Sequence, residues 1–304
     1  MHNMCAKAHG WEFIMNKFCL ITNRDKDENL EITQSIVRYM EENNKECHLL
    51  EGKIPEVGDY HFTDVNEVPE DCDCAIVLGG DGTIIQAAHD ILGKEIPILG
   101  INLGTLGFLA EIEIQNVYTA LDALYNNTYT LDSRMMIRGK IGRDDTLLYE
   151  GAALNDIVIT RSGFSRIISV SIYVNDELVD KYRGDGVIIS TPTGSTGYNL
   201  SSGGPVVKPD TELMIITPIC PHSLNARSII LSPWDTVKIK INKSKKTQAE
   251  EAIATFDGRQ AILLHEDDIL EIKKATEETK LIKVEHQSFF EILRTKIGQG
   301  GGCE

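Results

Sequence analysis

Cys74-Ala75-Ile76-Val77-Leu78-Gly79-Gly80-Asp81-Gly82-Thr83 runs from a continuous apolar segment straight into a glycine turn. The apolar part fits a strand buried on both faces, and Ile84 to Leu92 then resumes at helical spacing. Strand, glycine turn and helix in direct succession predict an α/β unit built on parallel strands. The flanking sequence repeats the pattern. Upstream, Phe18-Cys19-Leu20-Ile21 reads as a short buried strand, followed by Ile32, Ile36, Val37 and Met40 at helical spacing. Downstream, Ile96 to Ile101 reads as a strand and Val117 to Leu124 as a helix, so α/β order extends to about residue 128.

Beyond Thr130 the texture changes to short β-type runs: Asp156 to Thr160, Ile167 to Val174, Leu178 to Tyr182 and Val187 to Ser190. Asn175-Asp176 and Asp257-Gly258 lie between such runs and suit tight hairpins. Val237 to Ile241 alternates strictly, as a half-solvated strand does, and the polar stretch from Lys243 to Glu251 reads as a loop. Ser288 and Glu291 form a capping box ahead of a helix whose apolar face is Phe289, Ile292, Leu293 and Ile297. Such a face needs a surface to cover. The expected organisation is an α/β N-terminal domain with a parallel sheet (15–130), a β-rich C-terminal domain (131–285), and a closing segment (286–304). In that segment a helix returns to the first domain ahead of a disordered glycine-rich tail. Residues 1–14 lack a periodic apolar pattern and are expected to be a disordered extension, with Met15 opening the folded part and a candidate for the true start.

Composition narrows the function classes. At 304 residues the chain exceeds most single hydrophobic cores, and 42% hydrophobic with 25% charged residues excludes wholesale disorder. Its longest apolar runs fall far short of the roughly 20 residues of a membrane span, so no membrane association is expected. A formal net charge of −16 opposes non-specific attraction to nucleic acid, which is therefore not an expected partner. The seven cysteines are odd in number and form no Cys/His array at zinc spacing, which fits a reduced cytoplasm.

Three glycines at the end of an apolar strand let backbone N–H groups approach phosphate oxygens, and the following helix N-terminus favours negative charge. Read alone, the turn leaves open the plainer alternative of a strand-to-helix connection with Asp81 as an ordinary helix cap. An acidic residue in a phosphate loop repels its ligand unless it binds Mg²⁺ or accepts a proton from an attacking hydroxyl, which makes Asp81 a candidate catalyst. Thr191 to Tyr198 concentrates hydroxyls and glycines that can address a base or ribose, with Tyr198 able to pack on a planar ring; a plain Ser/Gly loop is the alternative. Arg183-Gly184-Asp185-Gly186 is either a surface turn or a site segment. Asn155-Asp156 either addresses sugar hydroxyls or forms a turn, and His222 reads as a hydrogen-bonded loop histidine.

Together the segments resemble the NAD kinase family, from about Lys17 to Ile297. In order they are Gly79 to Thr83, Asn102 to Leu109, Asn155-Asp156, Arg183 to Gly186, Thr193 to Tyr198, Thr217 to Leu224, and Phe256-Asp257-Gly258. Diacylglycerol and sphingosine kinases look similar at the first motif and diverge at the later ones. The resemblance implies phosphorylation of the adenosine-ribose 2′-hydroxyl of NAD by ATP or polyphosphate, with a divalent metal ion, Mg²⁺, on the phosphates. It also implies a homodimer or homotetramer, and an active site in the cleft between the domains. Carried over by position, Asp81 is the proton acceptor and Gly82 contacts the dinucleotide. Asn155, Thr196 and Tyr198 serve the adenosine half, Asp156 the ribose, and Asp185 and Ser201 the nicotinamide half. Arg183 contributes to the site, Arg166 and Cys220 match it as well, and Phe108 lines the pocket. Asp156 stands where many members have Glu, and Gly197 where Ala is common. The rival readings are a lipid-type kinase sharing the glycine turn and a non-catalytic NAD or NADP sensor.

Overall fold

A computed structural model of the protein describes residues 15–50, 63–104, 107–110, 112–144, 146–162, 167–223, 225–242, 252–284 and 288–298. The expectations for residues 1–14, Arg166, the 243–251 stretch, the side chain of Ile297 and the tail from Gln299 lie outside these residues.

The first part alternates as β1 (Lys17–Thr22), α1 (Glu31–Glu42), β2 (Glu46–Leu49), β3 (Cys74–Gly79), α2 (Asp81–Asp90), β4 (Ile98–Asn102), β5 (Ile112–Glu113) and α3 (Val117–Tyr125). β1 to β4 are all parallel, in the order β2-β1-β3-β4. Alternate strand residues face opposite sides of the sheet. Cys19, Ile21, Ala75 and Val77 meet Ile84, Ala87 and Ala88 of α2 on one side. Phe18, Leu20, Ile76 and Leu78 meet α1 and α3 on the other. Each large side chain so covered contributes about 1.5–3 kcal/mol. Helix α2 begins at Asp81, ahead of the Ile84 start that periodicity suggested, because its first turn lies beyond the strand end and buries no apolar side chain.

Next come β6 (Thr130–Arg143), β7 (Thr146–Ala153), β8 (Asp156–Arg161), β9 (Ile168–Val174), β10 (Glu177–Gly184), β11 (Gly186–Ser190) and the short α4 (Tyr198–Ser201). They are followed by β12 (Met214–Ile219), β13 (Ile229–Leu231), β14 (Val237–Ile241), β15 (Ala252–Phe256), β16 (Ile262–Leu264), β17 (Ile269–Lys283) and α5 (Phe289–Gly298). Strands β13-β12-β11-β8-β15-β16 make a six-stranded antiparallel sheet. Its inner residues Ile157, Ile189 and Ile216 share a core with Ile137, Ile172 and Ile239 of the other sheet.

That other sheet continues the parallel one. β17 pairs antiparallel with β14 and β6, then parallel with β4 at Leu281–Ile98, giving an 11-stranded sheet through both parts of the molecule. The chain thus rejoins the first part within β17, before the closing helix. A register shift between Lys274 and Glu278 bends β17 where it leaves one sheet region for the other. In α5 the Ser288 N–H donates to Glu291 Oε2 at 2.8 Å and the Glu291 N–H to Ser288 Oγ at 3.2 Å, the reciprocal capping box. Ile292 is buried, whereas Phe289 is half-buried with its ring centroid 6.0 Å from that of Phe108.

Candidate active site

A pocket of about 360 Å³ opens beside β8 and β15, lined by Asn155, Asp156, Thr160, Tyr198, Asp257 and Gly258 among others. Asp257 organises it. Its wholly buried carboxylate accepts backbone N–H groups from Leu154 (2.7 Å), Asn155 (2.7 Å) and Asp156 (2.9 Å). Oδ2 also lies 2.6 Å from His89 Nε2 of α2. A carboxylate already taking backbone donors can only accept, so Nε2 carries the proton. Asp257 (φ 52°) and Gly258 (φ 68°) occupy the left-handed region, which Asp and Gly tolerate better than most residues. Next to them, Arg259 reaches Asp90 of α2 at 3.4 Å. The hairpin at the end of β15 is therefore clasped twice to the helix that follows the glycine turn.

Asp156 is only 6% exposed, and its carboxylate accepts no hydrogen bond from a described residue. Burial first, and the charge of Asp257 second, push its pKa up to about 7. A carboxyl in that state facing a pocket calls for a hydroxyl partner. Tyr198 is 46% exposed, leaving a ring face for a planar ligand. Its own hydroxyl is pushed up by burial and then by Cys220, Asp185 and Asp156, which places those groups around it.

Most hydroxyls of the Thr191–Tyr198 segment hold the segment itself. Thr191 Oγ1 donates to Leu154 O at 2.6 Å, and Ser195 Oγ bonds both the O and N–H of Val207. Gly194 has no room for a side chain, since a Cβ would stand 2.1 Å from Asn155 O. Thr196 and Gly197 lie on the resulting turn, and a Cβ on Gly197 would stand 3.3 Å from Gly194 O, a tight contact, and 3.7 Å from Asn155 Nδ2. Ser201 closes α4 and is exposed.

Arg183 to Gly186 is not an open surface turn. It carries the chain from β10 in one sheet to β11 in the other, with hypothetical Cβ atoms on Gly184 and Gly186 only 2.8 Å and 2.2 Å from carbonyl oxygens of Ile219 and Ile159. Arg183 is exposed, and Asp185 Oδ1 pairs with Arg161 Nε at 3.0 Å. Cys220 is exposed with φ 44°.

Asp81 lies outside the pocket. Its carboxylate accepts the backbone N–H groups of Phe108 (2.8 Å), Leu109 (3.0 Å) and Ala110 (3.2 Å), so it neither caps its own helix nor stands free. A carboxylate has about four acceptor sites, which leaves room for one more donor. The glycines divide the remaining work. A Cβ on Gly79 would strike Thr83 Oγ1 at 2.3 Å and one on Gly107 would strike Asp81 Oδ1 at 1.8 Å, whereas Gly82 faces open space. Phe108 is not among the residues lining this pocket; its backbone N–H bonds Asp81. Its neighbours are Phe289 of α5 and Lys296, whose Nζ sits 5.1 Å from the ring centroid, because an apolar ring on a rim loop is covered by the closing helix.

His89 and the hub role of Asp257 were not read from the sequence. A histidine and an aspartate beside Ala87-Ala88 in an apolar helix pattern were the available signal. Among the described residues no group of three or more His, Cys, Asp or Glu side chains converges to hold a metal ion. The divalent ion implied by the resemblance therefore has no protein-built cage among them.

Residues 18–129 match the model for the ATP-NAD kinase N-terminal domain, and residues 154–284 that for the ATP-NAD kinase C-terminal domain. The chain belongs to the NAD kinase family. Among NAD kinases it is 59% identical over 286 residues to that of Lachnoclostridium phytofermentans, covering 93% of this chain and 99% of the relative. It is 43% identical over 284 residues to that of a Thermoanaerobacter species, with the same coverages of 93% and 99%. Its fold matches yeast NADH kinase complexed with NADH (TM-score 0.79, 20% identity, 97% of this chain and 90% of that one). It also matches an Archaeoglobus fulgidus NAD kinase in complex with ATP (TM-score 0.71, 24% identity, 93% and 98%). Both likenesses confirm the NAD kinase architecture of an α/β domain with a parallel sheet and a β-rich domain. No helix among the described residues is long and apolar enough to cross a membrane.

Proposed function

We infer that this chain phosphorylates the 2′-hydroxyl of the adenosine ribose of NAD with ATP, giving NADP. The observation that carries the reading is 59% identity over 93% of the chain to a protein named NAD kinase. The pocket suits the acceptor. Tyr198 offers a ring face to adenine, Asn155 offers both a donor and an acceptor to its edge, and Asp156 is a buried carboxyl ready for a ribose hydroxyl. Thr196 and Gly197 shape the adenosine side, Gly82 meets the dinucleotide, and Arg183, Asp185, Ser201 and Cys220 serve the nicotinamide half.

Two carboxyls are candidates for the proton of the 2′-hydroxyl. Asp81 retains an acceptor site, but α2 separates it from the pocket clasp: eight residues to His89 amount to about 12 Å of helix. Asp156 lies in the pocket with its pKa near 7, where a general base works best. An acid limb near pH 7 in the turnover profile that disappears in Asp156→Asn would favour Asp156; turnover retained in Asp156→Asn and lost in Asp81→Asn favours Asp81.

The divalent ion is best placed as a companion of the donor phosphates, the usual habit of Mg²⁺. Polyphosphate as an alternative donor, a homodimer or homotetramer, and a cytoplasmic location complete the reading. Incubation of purified protein with ATP, Mg²⁺ and NAD should yield NADP. Tight NAD binding without NADP would make the chain a sensor, and phosphorylation of a lipid in place of NAD would make it a lipid-type kinase.

A further inference from the structure

The turn between β1 and α1, Asn23-Arg24-Asp25-Lys26-Asp27, lies against the glycine turn that ends β3. The Asn23 N–H donates to Leu78 O at 2.9 Å and Asn23 Nδ2 to Thr83 Oγ1 at 3.2 Å. The Lys26 N–H returns to Asn23 O at 3.1 Å, and Asp27 anchors the other side through Thr33 N at 2.9 Å and Thr33 Oγ1 at 2.7 Å. So held, Lys26 places Nζ 3.3 Å from where a Cβ would stand on Gly80 and 3.4 Å from the same point on Gly104.

One ammonium thus bridges the glycine turns at the carboxyl ends of two adjacent parallel strands, β3 and β4. Ligands of open α/β sheets bind at that end of the strands. Lys26 is exposed and forms no ion pair with a described residue, although the chain is strongly acidic. A cation fixed there is available to an anion that the glycines let approach the backbone. A side chain on Gly80 or Gly104 would intrude on that space.

We propose that Lys26 binds the phosphate chain of the phosphoryl donor, holding it across the Gly80 and Gly104 turns. This rests on the kinase reading above. The donor is favoured over NAD because the nucleoside pocket around Asp257 meets α2 at its far end, whereas Lys26 sits where the helix begins, so only the part of the dinucleotide that Gly82 meets comes near it. A triphosphate is also the denser anion, and an acidic chain needs a local cation to receive it.

Steady-state kinetics of Lys26→Met and Lys26→Arg, with ATP and NAD varied separately, test the assignment. Lys26→Met should raise KM for ATP roughly 10- to 100-fold while KM for NAD stays unchanged. Lys26→Arg should recover most of the loss. The melting temperature of both variants should match the parent, since no partner is lost. Tripolyphosphate alone should raise the melting temperature of the parent and not of Lys26→Met. Unchanged ATP kinetics in Lys26→Met, or an equal loss for NAD, overturns the assignment. If the parent makes no NADP, the kinase reading fails by itself, and the tripolyphosphate shift still decides Lys26: a shift that persists in Lys26→Met rules it out.

Discussion

Replacing Asp156 by Asn should stabilise the protein at pH 8 and do much less at pH 5. In the folded chain, burial and then the charge of Asp257 raise the Asp156 carboxyl from 3.8 to about 7. The unfolded chain leaves it near its ordinary value. Between the two values the folded state keeps a proton that the unfolded state has released, so stability falls as pH rises through this window. Roughly three pH units at about 1.4 kcal/mol each give a total of about 4 kcal/mol. About two of those three lie above pH 5, so about 2–3 kcal/mol separates pH 5 from pH 8. Asparagine has the same shape and no charge to release, and the variant lacks this loss. Urea unfolding of parent and Asp156→Asn at pH 5, 6, 7 and 8 measures it, because other titrating groups cancel in the difference. The gap should widen by about 2–3 kcal/mol in favour of the variant from pH 5 to pH 8. Parallel stability profiles would show that Asp156 titrates as an ordinary surface carboxylate and would remove it as the buried acceptor of a ribose hydroxyl.

Asp81→Asn should lower turnover about 10²- to 10⁴-fold if Asp81 takes the proton, with NAD affinity retained. Its amide NH₂ would also face one of the backbone N–H groups of 108–110, so the melting temperature should drop as well; near-normal turnover would exclude Asp81. His89→Ala leaves the buried Asp257 short of one donor, at about 1–3 kcal/mol, and should weaken NAD binding more than ATP binding. Equal affinities with a lower melting temperature would make the clasp purely structural. Phe289→Ala should destabilise by only about 1–2 kcal/mol, because the ring is half-buried, whereas Ile292→Ala, at 3% exposure, should cost about 2–4 kcal/mol. The reverse ranking in thermal unfolding would mean that α5 docks through its first turn.

The α/β part was legible because each strand is a continuous apolar run and each helix a periodic one, signals that survive without any partner in view. β17 was not. Ile269 to Lys283 is rich in Lys and Glu because that strand is only half covered along much of its length, so its alternation is broken and its pairing with β6 and β4 is a property of distant residues. The site divides in the same way. Asn155, Asp156 and Tyr198 were readable as types suited to a nucleoside, and they do share the pocket. The ring contacts of Phe108 were not legible, since they come from α5, which arrives from the far end of the chain. Asp257 was visible as a hairpin residue and as part of the Phe256-Asp257-Gly258 motif, without a role. Its function depends on backbone N–H groups a hundred residues away, and no local pattern encodes that.

The two pocket carboxyls illustrate how a shared environment assigns opposite roles. Asp257 and Asp156 are both buried, yet Asp257 has three backbone N–H donors and His89, while Asp156 has none among the described residues. Burial without a donor opposes a charge, and the neighbouring Asp257 adds to that, so Asp156 retains its proton until about pH 7. A ribose hydroxyl can accept from the protonated carboxyl and donate to the ionised one, so a hydrogen bond to it survives on either side of that pH. Proton acceptance is available only to the ionised form. If Asp156 is the base, NAD affinity should therefore stay nearly level through pH 7 while turnover climbs. If Asp81 is the base, the state of Asp156 alters neither strongly, and the two quantities move together.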